Sequence, residues 1–519
     1  MSENHGDTAP LLGEARQPEL EYGAVQDAPP VAEPRTSFKR NLGTAEAFSI
    51  IISIVIGSGI FTSPGSIDTN VPSPGFALIV WAVGGLLAWT GAATMAELGT
   101  AIEGEGGVQP YLQYIFGDIF GFLAAWTWIV AVIPASLGIM SIVFVESVFS
   151  AIGENNRTQG ALHKFLSILV LIVFSMANGV STKVTNRLNR FFVTAKFTAI
   201  AATVVAGIAV VVYHLAAHTD KSTQDWWNKS WFGYRTSIGP DGSKTDWSKV
   251  DGWEMLGHYS AALYGALWAY SGWDKAIYIT AELSAPARQL PLAINTAIPI
   301  IVGGYIAVNA AYYILLPWDV VSTSDSVAVT AFNHLLGPGV GLVAAAVICI
   351  VVAGALLGSA FVGSRMIVSA SNKNWLPRFL GVVGHISLSS DSRPPTDPIS
   401  EESESDAPIN ALIFSTACSA LYIIFGNFRA LITFNGLGEY SFFFLTMVGA
   451  LVLRIREPKL HRPYKPLFVI PVIFTLVSGF VVARGAVFAP FQAAVLIVVW
   501  GLGLAFYWAR RWWLRRGRA

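Results

Sequence analysis

Charge is what this 519-residue chain has least of: Asp, Glu, Lys and Arg make up 13% of it, against roughly a quarter in an average soluble protein. That excludes a water-soluble globule of this length. The 33 basic residues balance 33 acidic ones and leave a formal net charge of +0, so the broad positive field of a nucleic-acid binder is absent. Cysteine is nearly missing. Cys349 and Cys418 both sit inside apolar runs, where a free thiol behaves as a small hydrophobe, so no disulfide framework is implied. The N-terminal forty residues lack the apolar core of a secretory signal peptide. No metal-ligand cluster and no nucleophile–base pair stands out, so the sequence implies no metal, no cofactor and no enzyme chemistry.

Apolar residues fill the space instead. The chain is 53% hydrophobic with a mean hydropathy of +0.54. Apolar runs of about 20 residues recur about twelve times, which describes an all-α polytopic membrane protein. Residues 1–40 read as a disordered cytosolic tail, 41–510 as the transmembrane domain, 384–408 as a flexible acidic cytosolic loop and 511–519 as a basic cytosolic tail. Short loops rich in Lys and Arg stay in the cytosol. The link carrying Lys183, Arg187 and Arg190, the link from Arg454 to Lys465 and the Arg-rich end set both termini inside. The glycosylation sequons at Asn156 and Asn228 then fall together on the other side. In the tail, Asp7-Thr8-Ala9-Pro10-Leu11-Leu12 has the form of an acidic dileucine sorting signal, which leaves a vacuolar or lysosomal membrane as the alternative to the plasma membrane.

The first long apolar run, Ser49 to Phe61, is interrupted by Gly57-Ser58-Gly59. A helix broken there exposes main-chain polar groups at membrane depth, which is tolerated only where they line a cavity or are buried in protein. The half-helix starting near Ile60 offers free N–H groups and a positive dipole end to an anion. The half-helix before it ends in free carbonyls around Val55 and Ile56, suited to an ammonium. The plain alternative is a glycine pair that lets another helix cross closely.

The sixth run carries a second interruption, Leu267-Trp268-Ala269-Tyr270-Ser271-Gly272-Trp273-Asp274-Lys275, five spans after the first. Matching breaks in two five-helix halves point to an inverted repeat with a binding site at the bilayer midplane.

These residues resemble the L-type amino acid transporters of the amino acid–polyamine–organocation superfamily. The likeness rests on Ile56-Gly57-Ser58-Gly59-Ile60-Phe61, Ala96-Glu97-Leu98-Gly99, Tyr270-Ser271-Gly272-Trp273, Arg288-Gln289-Leu290-Pro291 and Gly363-Ser364-Arg365, and it spans about residues 40 to 510. It implies a LeuT-type fold of about 12 helices in a 5+5 inverted repeat, with helices 1 and 6 discontinuous, and an amino acid substrate. By that resemblance, the N–H groups near Gly57, Ser58 and Gly59 would hold the substrate carboxylate. The carbonyls of Val55, Trp268 and Ser271 would hold its amine. Asp274 matches the branch that handles both cationic and neutral amino acids, and Trp268 replaces a frequent Phe gate. Animal members join a heavy chain through a Cys between helices three and four; the segment Glu154–His163 has none, so no disulfide-linked heavy chain is expected.

Four charges need a reading. Lys196, inside the fifth run, either snorkels to the inner surface or stands as a fixed cation where sodium-coupled relatives hold an ion. Asp274 and Glu439 either face the substrate side chain or form a salt bridge with Lys275. Glu97 and Glu282 read as solvated or capping residues. The function expected is a sodium-independent amino acid permease or exchanger; a proton-coupled symporter and a non-transporting amino acid receptor are the alternatives.

Overall fold

The computed structural model describes residues 44, 48, 51–52 and 55–516, except 103–106, 153–159, 181, 217–224, 275–282 and 383–407, and no side chains at 179–193, 286 and 514. The dileucine-like motif, Asn156, Lys275, Glu282 and the acidic loop lie outside the described residues.

Among the described residues, nine helices are long and apolar enough to cross a membrane. They are Pro74–Ala101 (span 2), Asp118–Ala151 (span 3), Ala161–Asn178 (span 4), Thr194–Ala216 (span 5), Ala287–Leu315 (span 7), Pro338–Asn372 (span 8), Phe428–Arg456 (span 10), Val469–Phe488 (span 11) and Pro490–Trp513 (span 12). Three elements complete the set. Span 1 ends in the short helix Gly59–Asp68, span 6 begins as Gly252–Ala269, and span 9 is Ile409–Phe425. The protein is thus an all-α polytopic membrane protein.

Why these segments are helices follows from the solvent. In hydrocarbon every backbone group must be satisfied within the segment, and runs of Leu, Ala, Val and Ile bury no competing polar group. Span 3 contains a π-helical turn at Trp128–Val132. The last helix continues to Arg516, into the segment read as a tail. Arg, Trp, Leu and Ala are all compatible with a helix, so nothing stops it earlier.

Span 1 packs on span 6, span 2 on span 7 and span 3 on span 8. Each pair is five spans apart, as expected of two five-helix halves facing each other. Close approach between such helices needs small residues, because lipid tails supply no hydrophobic drive for association. At Gly85 of span 2, a Cβ would lie 2.4 Å from Val302 Cγ2 of span 7.

The connection between spans 5 and 6 carries a hairpin of β1 (Thr236–Ile238) and β2 (Lys244–Asp246), antiparallel, with Thr236 opposite Asp246. Gly242, at φ 81°, makes its turn. Short helices Val108–Phe116, Trp318–Thr323 and Val327–Leu336 occupy connections read from the sequence as plain links.

Candidate substrate site

The first interruption falls where the sequence puts it. Ile56 N–H still donates to Ile52 O at 3.0 Å, Gly57 is outside any helix, and a new helix starts at Gly59 with Ser58 as its N-cap. The Ser58 hydroxyl makes no capping bond, and the leading N–H groups of a helix have no partner within it. The break in span 6 is equally local. Its helix stops at Ala269, Ser271 N–H folds back onto Trp268 O at 3.1 Å, and Gly272 takes φ +106°, a conformation that only glycine adopts without strain.

The two breaks touch. A Cβ on Gly59 would lie 2.4 Å from Ala269 Cα, so the start of one half-helix rests against the end of the other. Gly57 differs: among the described residues a Cβ there meets only Val55 O, at 4.0 Å. Gly59 therefore serves close packing, the plain reading of the glycine pair, whereas a side chain at Gly57 would meet no close contact among the described residues.

One residue that sequence reasoning missed joins the breaks. Tyr305 of span 7 is buried, and its hydroxyl donates towards both Val55 O (3.2 Å) and Ala269 O (3.1 Å). Its ring stacks on Tyr270, with centroids 4.8 Å apart. The Val55 carbonyl is thus already an acceptor for Tyr305, and the Trp268 carbonyl for Ser271. A carbonyl oxygen carries two lone pairs and can accept more than one hydrogen bond. Nothing in the sequence flags Tyr305, a lone hydroxyl in an apolar span.

The remaining candidates lie on spans 6 and 10. Trp268 is half-buried, and its indole Nε1 is buried with no hydrogen-bond partner among the described residues. Ser271 is half-buried, while Asp274 and Glu439 are both buried. Trp273 Nε1 donates to the Tyr440 hydroxyl of span 10 at 3.4 Å, and Asp274 and Glu439 are the chain neighbours of these two residues. Spans 6 and 10 thus bring Asp274 and Glu439 into one neighbourhood.

Lys196 is buried, on a helix that packs against spans 7 and 8. Asn228 is exposed at the end of the short helix Asp225–Asn228.

The expectation that Glu97 is solvated or capping is corrected. Glu97 is 1% exposed and pairs with Arg454, whose Nε lies 2.9 Å from Oε1, and with Arg462, whose Nε lies 3.2 Å from the same oxygen. The basic link after span 10 folds back over the end of span 2, and the carboxylate is the counter-charge for two guanidiniums. At the opposite end, Asp68 is fully buried and accepts from the Tyr313 hydroxyl at 2.6 Å and from Arg235 at 2.5 Å. Arg429 there joins Asp325, Thr69 and the Ser322 carbonyl. Pairing across loops distant in sequence is what hid these clusters.

Two broken spans that meet within a bundle of membrane helices are the architecture of a membrane transporter of small solutes. A family model for amino acid permeases matches residues 42–507, and the chain belongs to that family, within the amino acid–polyamine–organocation superfamily. It is similar to the b(0,+)-type amino acid transporter 1 of Homo sapiens, 31% identical over 477 residues that cover 92% of this chain and 89% of the relative. It is also similar to the Asc-type amino acid transporter 1 of Mus musculus (28% identical, 93% and 83% covered) and the cystine/glutamate transporter of Homo sapiens (26% identical, 94% and 89% covered). The likeness read from the motifs is borne out: the chain is an amino acid permease, not an enzyme.

Proposed function

We propose that the protein is a sodium-independent permease that exchanges neutral and cationic L-amino acids by alternating access. The observation that carries this reading is the contact of the two breaks at Gly59 and Ala269, held by Tyr305. The substrate carboxylate meets the free N–H groups from Ser58 onward, at the positive end of the Gly59–Asp68 helix. The amine meets the carbonyls at the ends of the two half-helices, those of Val55, Trp268 and Ser271. Trp268 closes over the substrate, and its unpaired indole N–H adds a donor at the pocket wall.

The buried Lys196 supplies a fixed positive charge where a sodium ion would otherwise be needed. Asp274 and Glu439 give the anionic character that a cationic side chain requires. The same two carboxylates also support a second reading, proton-coupled symport, in which one of them titrates.

Both termini are read as cytosolic, with the end of span 2 that carries Glu97 on the same side as the Arg-rich C-terminal end. The membrane is the plasma membrane, or a vacuolar or lysosomal one if the Asp7–Leu12 motif acts. Uptake of labelled neutral and cationic amino acids by purified protein in liposomes, with and without internal amino acid, tests the reading. Uptake that rises with internal amino acid and ignores an imposed pH gradient supports exchange. Uptake driven by the gradient supports symport, and binding without accumulation leaves a receptor.

A further inference from the structure

Away from the helix breaks, a cavity of about 440 Å³ opens beside the hairpin, between the ends of spans 3, 4, 9 and 10. That volume falls within the range of roughly 300–1,000 Å³ typical of small-molecule sites. Its lining includes none of Val55, Gly57, Trp268 or Asp274. Two buried side chains face it, Glu146 of span 3 and His163 of span 4, 5% and 2% exposed.

Glu146 Oε2 and His163 Nε2 are 3.3 Å apart and form a buried pair, and among the described residues neither atom has a further hydrogen-bond partner. The other charges on the wall are already engaged. Arg429 is held by Asp325, Thr69 and Ser322, and Asp241 accepts from Ser243 at 2.6 Å. Lys164 Nζ donates to the Ile424 carbonyl at 2.6 Å and keeps two further donors. A buried carboxylate faced by a single imidazole is short of donors, and an ammonium brings three N–H groups to it. Ile142 and Val143 supply an apolar wall next to Glu146.

We propose that this cavity is a second, peripheral amino-acid site, with the ammonium of the ligand on Glu146, its carboxylate towards Lys164 and its side chain against Ile142 and Val143. The proposal rests on the reading of the helix breaks as the transport site, because it gives the same class of ligand a waiting position on the face that carries the hairpin.

Equilibrium dialysis of labelled L-leucine and L-arginine against the purified full-length chain tests it. The parent should bind a second equivalent at millimolar concentration. Glu146→Gln should lose that equivalent and keep the tighter one, whereas Gly57→Val should lose the tighter one and keep the second. Pro240→Trp, an exposed hairpin residue on the cavity wall, should reproduce the Glu146→Gln loss without disturbing helix packing, which separates occupancy from misfolding. A parent that binds one equivalent, unaltered by Glu146→Gln and by Pro240→Trp, overturns the peripheral site and leaves the transport site standing. A parent that binds neither amino acid overturns the transport reading, and the peripheral site with it.

Discussion

The Tyr305 hydroxyl stands 3.2 Å from the Val55 carbonyl oxygen, and the same hydroxyl reaches Ala269 O at 3.1 Å. One phenol is therefore shared by the C-terminal ends of both half-helices, each carrying a partial negative charge of about half an elementary unit. Tyr305→Phe keeps the ring on Tyr270 and removes the donor. Leaving buried carbonyls short of a donor costs on the order of 1–3 kcal/mol. The variant should melt at a lower temperature and take up amino acid about 10-fold more slowly, if the loss falls on the transport-competent state. Parent-like melting and uptake would mean the hydroxyl does not tie the breaks together.

Sodium dependence follows from Lys196. With a fixed ammonium buried in span 5, choline substituted for sodium should leave uptake unchanged, and Lys196→Ala should cripple it. Uptake by the parent that requires sodium would contradict the proposed role of this lysine.

Asp274 decides selectivity. A cationic side chain in a partly dehydrated pocket needs an anion beside it, since an unpaired buried charge costs several kcal/mol. Asp274→Asn should weaken Lys and Arg by about 10-fold or more and leave neutral amino acids nearly intact. Equal loss for both classes would make Asp274 a structural residue, read through competition assays in liposomes.

Glu97 makes a prediction about folding instead. Glu97→Gln leaves the Arg454 and Arg462 guanidiniums, both 5% exposed, without their carboxylate. Removing one partner of a buried ion pair costs about 3–5 kcal/mol. The variant should lose thermal stability and expression, and replacing Arg454 and Arg462 with Gln as well should recover part of it. A single variant as stable as the parent would show the cluster to be dispensable.

Much of this was legible in the sequence, because the bilayer punishes exceptions. A run of apolar residues long enough to span, and a Gly-Ser-Gly that breaks it, have few other meanings in hydrocarbon, so the spans and both breaks could be read directly. Tyr305 could not, since its role depends on span 7 crossing both breaks and one hydroxyl among many carries no pattern. Glu97 was misread for a related reason: its partners lie some 360 positions away, on a basic link that taken alone looks like a cytosolic loop. The functions of Gly57 and Gly59 were read as one, and only the backbone of Ala269 separates them.

The central claim, that the gap at the first break is the transport site, is tested most directly by uptake through Gly57→Val in liposomes. Among the described residues a Cβ at this position meets nothing nearer than 4.0 Å, whereas at Gly59 it strikes Ala269 Cα at 2.4 Å. Gly57→Val should therefore fold and insert like the parent, and Gly59→Val should not. The account predicts that folded Gly57→Val accumulates no more labelled amino acid than empty liposomes do. Parent-like uptake by that variant would contradict it.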